Sequence, residues 1–268
     1  MHVFTLSHLS ATVVHTLSPL LLAIFLFHLP TPIPPPPTPL LIMCDAFDAY
    51  LSATFDRDKV MAIVQFLPMV LAGPTKALGN PALSKSLSNL STMSDKYRAV
   101  TRLSLLLNAL SKKTLTTLSK PQGDLLLDRA DQVAHFFHVF FVVFENTAVL
   151  ASHGVYSGAL TRLGGCAVTC WFYVLLTVIL RNVYVLATKD KLTPDQRRKE
   201  QLSILKHGCF IIFSLTCLPQ GGPKLLENVS GPLAPLHHAL RLIAPKHLPL
   251  DDTYRGALGL VASLCDFA

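Results

Sequence analysis

Charge is what this chain has least of. Asp, Glu, Lys and Arg make up 15% of its 268 residues, against about 25% in an ordinary soluble domain. Hydrophobic residues make up 51% and the mean hydropathy is +0.46. That deficit argues for a membrane rather than a water-soluble globule. Also missing are GxSxG, HExxH and any glycine loop built to cradle phosphate, so no catalytic residue, cofactor or metal is expected. The six cysteines, Cys44, Cys166, Cys170, Cys209, Cys217 and Cys265, form no CxxC. Several lie in apolar stretches, where cysteine behaves as a small hydrophobe, and all are read as free thiols facing a reducing compartment. The net charge is +7, which favours an anionic partner. Zinc-finger spacing, an RNP-like motif and arginine-rich runs are all absent, which argues against nucleic acid.

Residues 1–42 contain no Asp, Glu, Lys or Arg. The apolar stretch from Pro19 to Leu29 has the length of a signal-peptide core, but no basic residue precedes it and no small-residue cleavage site follows. Seven prolines then fall in the ten positions from Pro30 to Pro39, and such a segment cannot be helical. Met43 opens a stretch of different composition. The preferred reading is that translation begins at Met43 and 1–42 is a leader outside the protein; a signal anchor is the rival. Asn89-Leu-Ser91 and Asn228-Val-Ser230 match the glycosylation pattern, which has meaning only in the secretory pathway.

From Asp45 onward the pattern is helical. Asp56 is placed to cap a helix through Val60, Ile63, Val64 and Leu67, which Pro68 bends or ends and Gly73-Pro74 closes. After a polar connection, Ser94 is placed to cap a segment in which Val100, Leu103, Leu106, Leu107 and Leu110 form one apolar stripe. Lys96, Arg98, Arg102, Lys112 and Lys113 stand against the single acid Asp95. This pattern fits either a basic amphipathic helix lying in a lipid interface or a core helix with a solvated face.

Residues 124–153 predict a long helix. Val133, Phe136, Phe137, Phe140 and Phe144 share an apolar face, while Asp131, His138 and Glu145 recur seven apart, with His135, Asn146 and His153 close to their side. Such a polar stripe should turn toward other protein or water. Packing against neighbouring helices is the plain reading; a metal site is the sharper one, though no further ligand set has recognisable spacing. Residues 160–188 predict a transmembrane helix, since Gly164 to Leu180 holds no charge and the apolar character runs on to Ala187 past Arg181. Residues 189–207 are charged and predict a solvated loop or helix beside the membrane. The C-terminal part, 208–268, has two short apolar segments, Gly208 to Leu218 and Tyr254 to Phe267, at least one of which is expected to be membrane-embedded. The adjacent pair His237-His238 reads as a surface pair, because neighbours on a helix face different ways.

The order of these features resembles the peroxin-eleven family of peroxisomal membrane proteins, most closely the branch that includes glycosomal integral membrane proteins. Arg57-Asp-Lys-Val60 followed by Gln65-Phe66 resembles the family's opening helix. Tyr97-Arg-Ala-Val-Thr-Arg-Leu103 resembles its basic amphipathic helix. Glu145-Asn146 stands where Asp-Asn is frequent, ahead of Gly154. Trp171 to Leu186 resembles the central apolar helix, and Gly256-Ala-Leu-Gly259 the last apolar segment. There are departures: Glu145 replaces the usual Asp, and Ser104-Leu105 stand where glycine and lysine are frequent. The leader has no counterpart.

The resemblance implies an all-α membrane protein from 43 to 268, with amphipathic N-terminal helices over 43–120 and one to three membrane-embedded apolar helices. It implies residence in the peroxisomal or glycosomal membrane and a role in organelle proliferation and division through helix insertion, self-association into a homo-oligomer and recruitment of fission machinery. Lys96, Arg98, Val100, Arg102, Leu103, Leu107, Leu110, Lys112 and Lys113 would then bind an anionic phospholipid membrane. Asp131, His135, His138, Glu145 and Asn146 would pack helices or, in the alternative of a metabolite pore, line its path. Family likeness also suggests both termini in the cytosol, hence an even number of crossings.

Overall fold

A computed structural model describes residues 39–120, 123–189, 192–221 and 233–267. The leader to residue 38 and the Asn228 pattern lie outside the described residues. All regular structure described is helical.

Helix α1 spans Pro39–Ala77 and α2 spans Pro81–Thr101. Proline at a first helical position is favoured, because its missing N–H has no partner there in any case. The end expected at Pro68 and Gly73-Pro74 is not taken: α1 continues through both prolines to Ala77. Packing on either side overrides the breakers. The Ser84 hydroxyl of α2 donates to the Ala72 carbonyl at 2.8 Å, and Gly73 lies against the Thr253 side chain. Nor does Ser94 cap a helix. It is fully buried within α2, whose cap is Asn80, with the side-chain oxygen accepting from the Leu83 N–H at 3.0 Å. The single helix expected from 94 to 113 is broken into a 3-10 turn, Arg102–Ser104, a five-residue α3, Leu105–Ala109, and α4, Lys112–Ser119.

Helix α5 spans Leu125–Ser152, and a 3-10 turn, Gly158–Arg162, leads into α6, Leu163–Thr188. They form an antiparallel hairpin. Small side chains on α6, among them the buried Cys166, Ala167 and Cys170, admit Phe144 of α5 and Leu240 of α8, which spans Leu233–Ile243. Close approach through small residues is how helices associate in lipid, where apolar surface alone gives no drive. The charged stretch and the apolar segment after it are one helix, α7, Pro194–Cys217, which Gly208 does not interrupt. A capping box starts it: the Thr193 hydroxyl accepts from the Gln196 N–H and the Gln196 side chain accepts from the Thr193 N–H. The C-terminal helix α9 spans Asp252–Leu264.

The neighbour order is α2, α1, α9, α7, α6, α5, and the arc closes where the turn and α3 reach α5. An aromatic chain crosses it: Phe66 of α1 meets Phe213 of α7 edge-on at 5.4 Å, Phe213 meets Trp171 of α6 at 6.3 Å, and Trp171 stacks with Phe141 of α5 at 6.1 Å. On α9, Gly256 and Gly259 lie against α1. A Cβ on Gly256 would stand 2.9 Å from the Val70 nitrogen, and one on Gly259 would enter the Phe66 ring. Among the described residues three stretches are long and apolar enough to cross a membrane: Asp58–Ala77, Leu125–Ser152 and Gly158–Thr188. Neither short C-terminal apolar segment is among them.

Candidate membrane interface

The basic segment divides between two jobs. Arg98 is buried. Its Nε and Nη2 donate to the two carboxylate oxygens of Asp58 at 2.9 and 3.1 Å, and its Nη1 donates to Gln65 Oε1 at 2.7 Å. Gln65 Nε2 in turn donates to Asp95 at 2.9 Å, and the guanidinium sits 5.6 Å from the centre of the Phe66 ring. A planar fork bonded to both oxygens of one carboxylate is the strongest geometry an ion pair offers. Arg98 is thereby an internal tie between α1 and α2. Arg102 is likewise engaged, 3.3 Å from Glu145 on α5. By contrast Lys96, Lys112 and Lys113 are exposed. Val100 is exposed, whereas Leu103, Leu107 and Leu110 are half-buried against the bundle.

Helix α2 turns its polar side inward. Ser84, Ser91, Ser94 and Arg98 are buried against its neighbours, while Leu83, Leu90, Met93, Tyr97 and Val100 are exposed. Their spacings of seven, three and four put them on one face. Val60, Leu67 and Leu71 form a similar exposed row on α1. Lys85, Thr92 and Lys96 occupy the other outward side of α2. Met93 is 60% and Val100 56% exposed, so this hairpin carries an uncovered apolar face beside a cationic one. Reading the segment only from Ser94 onward missed half of this face. The recurrence at 83, 90, 93, 97 and 100 was in the sequence to be found.

The polar stripe of α5 is shared out among neighbours. Asp131 pairs with Arg181 of α6 at 2.7 Å. His138 lies beside the Phe141 ring at 6.1 Å, and His135 is half-exposed. Glu145 goes to Arg102, and Asn146, itself buried, donates from Nδ2 to the Leu103 carbonyl at 3.3 Å. Asp131 and Glu145 stand about 21 Å apart along the helix and serve different partners. Among the described residues no group of three or more His, Cys, Asp or Glu is arranged to hold a metal. Asp58 and Gln65 lie in the stretches that resemble the family's opening helix, but nothing there pairs them with Arg98; Arg181 carried no motif that would single it out.

Elsewhere the helices are tied by polar pairs of the same kind. Asn182 of α6 and Ser203 of α7 share a hydrogen bond of 2.7 Å, and Lys206 of α7 pairs with Asp266 just beyond α9. The Arg255 guanidinium of α9 lies 5.7 Å from the centre of the Phe213 ring and donates to Thr216 at 3.1 Å.

A family model described as Peroxisomal biogenesis factor 11 matches residues 44–267. No curated protein and no solved structure matches the chain.

Proposed function

We propose, on the premise that this chain belongs to the peroxisomal biogenesis factor 11 family, that it shapes the peroxisomal membrane by laying the α1–α2 hairpin into one leaflet while the α5–α6 hairpin anchors it. The family is one of organelle biogenesis factors and not of enzymes. The observation that carries the finer reading is the exposed row Leu83, Leu90, Met93, Tyr97 and Val100 beside Lys85 and Lys96.

Charge decides which hairpin crosses. Helix α1 has the length and composition to span, but it lies along α2, which exposes Lys85, Asp95 and Lys96. A charge left facing hydrocarbon costs about 2.5–3.5 kcal/mol or more, so the pair is disfavoured as a crossing unit and suits the interface. Between α5 and α6 the acid Asp131 and the base Arg181 neutralise each other, Glu145 is paired with Arg102, and Asp128 and the exposed Arg129 stand in the first two turns of α5, within reach of headgroups. Two crossings by this hairpin leave both chain ends on one side.

The five exposed apolar side chains still have roughly half their surface to bury. At roughly 1 kcal/mol each, they supply roughly 5 kcal/mol of lipid affinity, and each lysine adds about 1 kcal/mol near anionic headgroups. A helix buried about 5–10 Å deep in one leaflet expands that leaflet alone, which favours curvature.

The test uses the full chain in vesicles containing anionic phospholipid, with a spin label at Met93 or at Lys85. The Met93 label should be reached by lipid-dissolved oxygen and the Lys85 label by an aqueous relaxant. L90E together with M93E should weaken vesicle tubulation. A Met93 label reached mainly by the aqueous relaxant would defeat the proposal.

A further inference from the structure

Residues 82–120 contain neither glycine nor proline, and the apolar stripe through Val100, Leu103, Leu107 and Leu110 keeps helical register across them. Local sequence therefore offers no reason for the helix to stop at Thr101. It stops where it meets α5. The 3-10 turn begins at Arg102, which is paired with Glu145. The next carbonyl, Leu103, which a regular helix would offer to the N–H of residue 107, accepts from Asn146 Nδ2. Further on, Ser111 adopts extended backbone (φ −64°, ψ 145°) and starts α4 as a new helix.

The junction is incompletely satisfied. Ser94 Oγ, Arg102 Nε, Glu145 Oε2 and Asn146 Oδ1 are all buried without a hydrogen-bond partner. Buried polar groups without partners are costly, so the interrupted form gives up at the junction part of what its packing gains. A breaker-free helical sequence interrupted at two polar contacts, Arg102 with Glu145 and Asn146 with the Leu103 carbonyl, has the makings of a two-state element.

We propose, building on the membrane-shaping reading above, that Glu145 and Asn146 act as a clamp that keeps residues 94–119 interrupted, and that anionic lipid releases it. A headgroup phosphate competes with the Glu145 carboxylate for Arg102. Once Arg102 leaves, the turn rewinds and α2 extends through α3, and as Ser111 gives up its cap on the Thr114 N–H the helix runs on through α4. Leu103, Leu106, Leu107 and Leu110, now half-buried against the bundle, pass to the lipid together with the face α2 already exposes. The clamp thus makes the extent of insertion depend on the lipid that is present.

The experiment measures the distance between bioorthogonal spin labels at Thr92 and Thr117, both exposed, in the full chain. A continuous helix sets these positions about 38 Å apart, and the interrupted one sets them closer. In pure phosphatidylcholine vesicles the shorter distance is expected, and in vesicles containing phosphatidylserine the distance should move toward about 38 Å. Glu145→Gln combined with Asn146→Ala should give the longer distance in both lipids. Glu145→Asp, which retains the carboxylate, should keep the lipid dependence. A wild-type distance that ignores the lipid overturns the proposal, and so does a double variant that stays short. Because the wild-type comparison needs no mutation, it decides the matter even if the double variant loses its helical circular dichroism. Should the Met93 label reside in lipid while the distance stays fixed, the clamp fails and the shaping reading stands. Should the distance change while Met93 stays out of lipid, the shaping reading fails.

Discussion

Replacing Arg98 by alanine separates two roles that the sequence runs together. Arg98 and Lys96 are two residues apart in the same basic segment, yet one is buried between helices and the other faces outward. Removing the Arg98 side chain deletes two charge-assisted bonds to Asp58, one bond to Gln65 and the contact with the Phe66 ring. It also leaves the Asp58 carboxylate without its counter-charge. Breaking a buried pair in this way costs about 3–5 kcal/mol. The Asp58 side chain keeps 26% of its exposure, so solvent relieves part of the loss and the lower end, about 3 kcal/mol, is expected. That corresponds to a change of roughly 150-fold in the folding equilibrium. Lys96→Ala touches no such contact and should stay within about 0.5 kcal/mol of the parent, while weakening binding to anionic vesicles. Reversible unfolding in detergent micelles gives the first quantity and vesicle co-flotation the second. Asp58→Ala and the double variant complete a cycle, with an expected coupling of about 2 kcal/mol. If Arg98→Ala is as stable as Lys96→Ala and loses vesicle binding to the same degree, Arg98 faces headgroups and the tie between α1 and α2 is wrong.

Further outcomes follow from the packing. Gly259→Ala places a methyl group in the Phe66 ring and should destabilise by about 1–3 kcal/mol, whereas Gly208→Ala, with open space around it, should stabilise by about 0.5–1 kcal/mol; detergent unfolding midpoints distinguish them. Arg181→Met removes the cation 2.7 Å from the Asp131 carboxylate, and adding Asp131→Leu should restore most of the lost stability, measured the same way. Burial holds the His207 imidazole below its ordinary value of 6.5. The unfolded chain then takes up the proton first, so stability should be full above about pH 6.5 and decline as the pH falls below it. His207→Gln should flatten that decline between pH 7 and 5.

Helix content and the long apolar helices were legible because they rest on length and periodicity alone. Leu125–Ser152 and Gly158–Thr188 match the stretches expected from composition. The helix ends were not legible. Pro68 and Pro74 are local stop signals, and only the packing of α2 and α9 explains why α1 ignores them. The reverse holds at Arg102, where nothing local stops the helix and a residue 43 positions away does. The basic segment was legible as amphipathic, but not its orientation. The partner of Arg98 lies 40 residues away, and without it one cation in a row resembles the next.

The meeting of Gly259 with Phe66 sets an order of events. Residues separated by most of the polypeptide cannot touch while the later one is still inside the ribosome. Helix α1 must therefore wait, with one flank unfilled, until α9 has left the ribosome. Only then can α9 close on it, so this contact forms late rather than turn by turn as the chain emerges. In the interval the nascent protein needs something to shield that apolar flank.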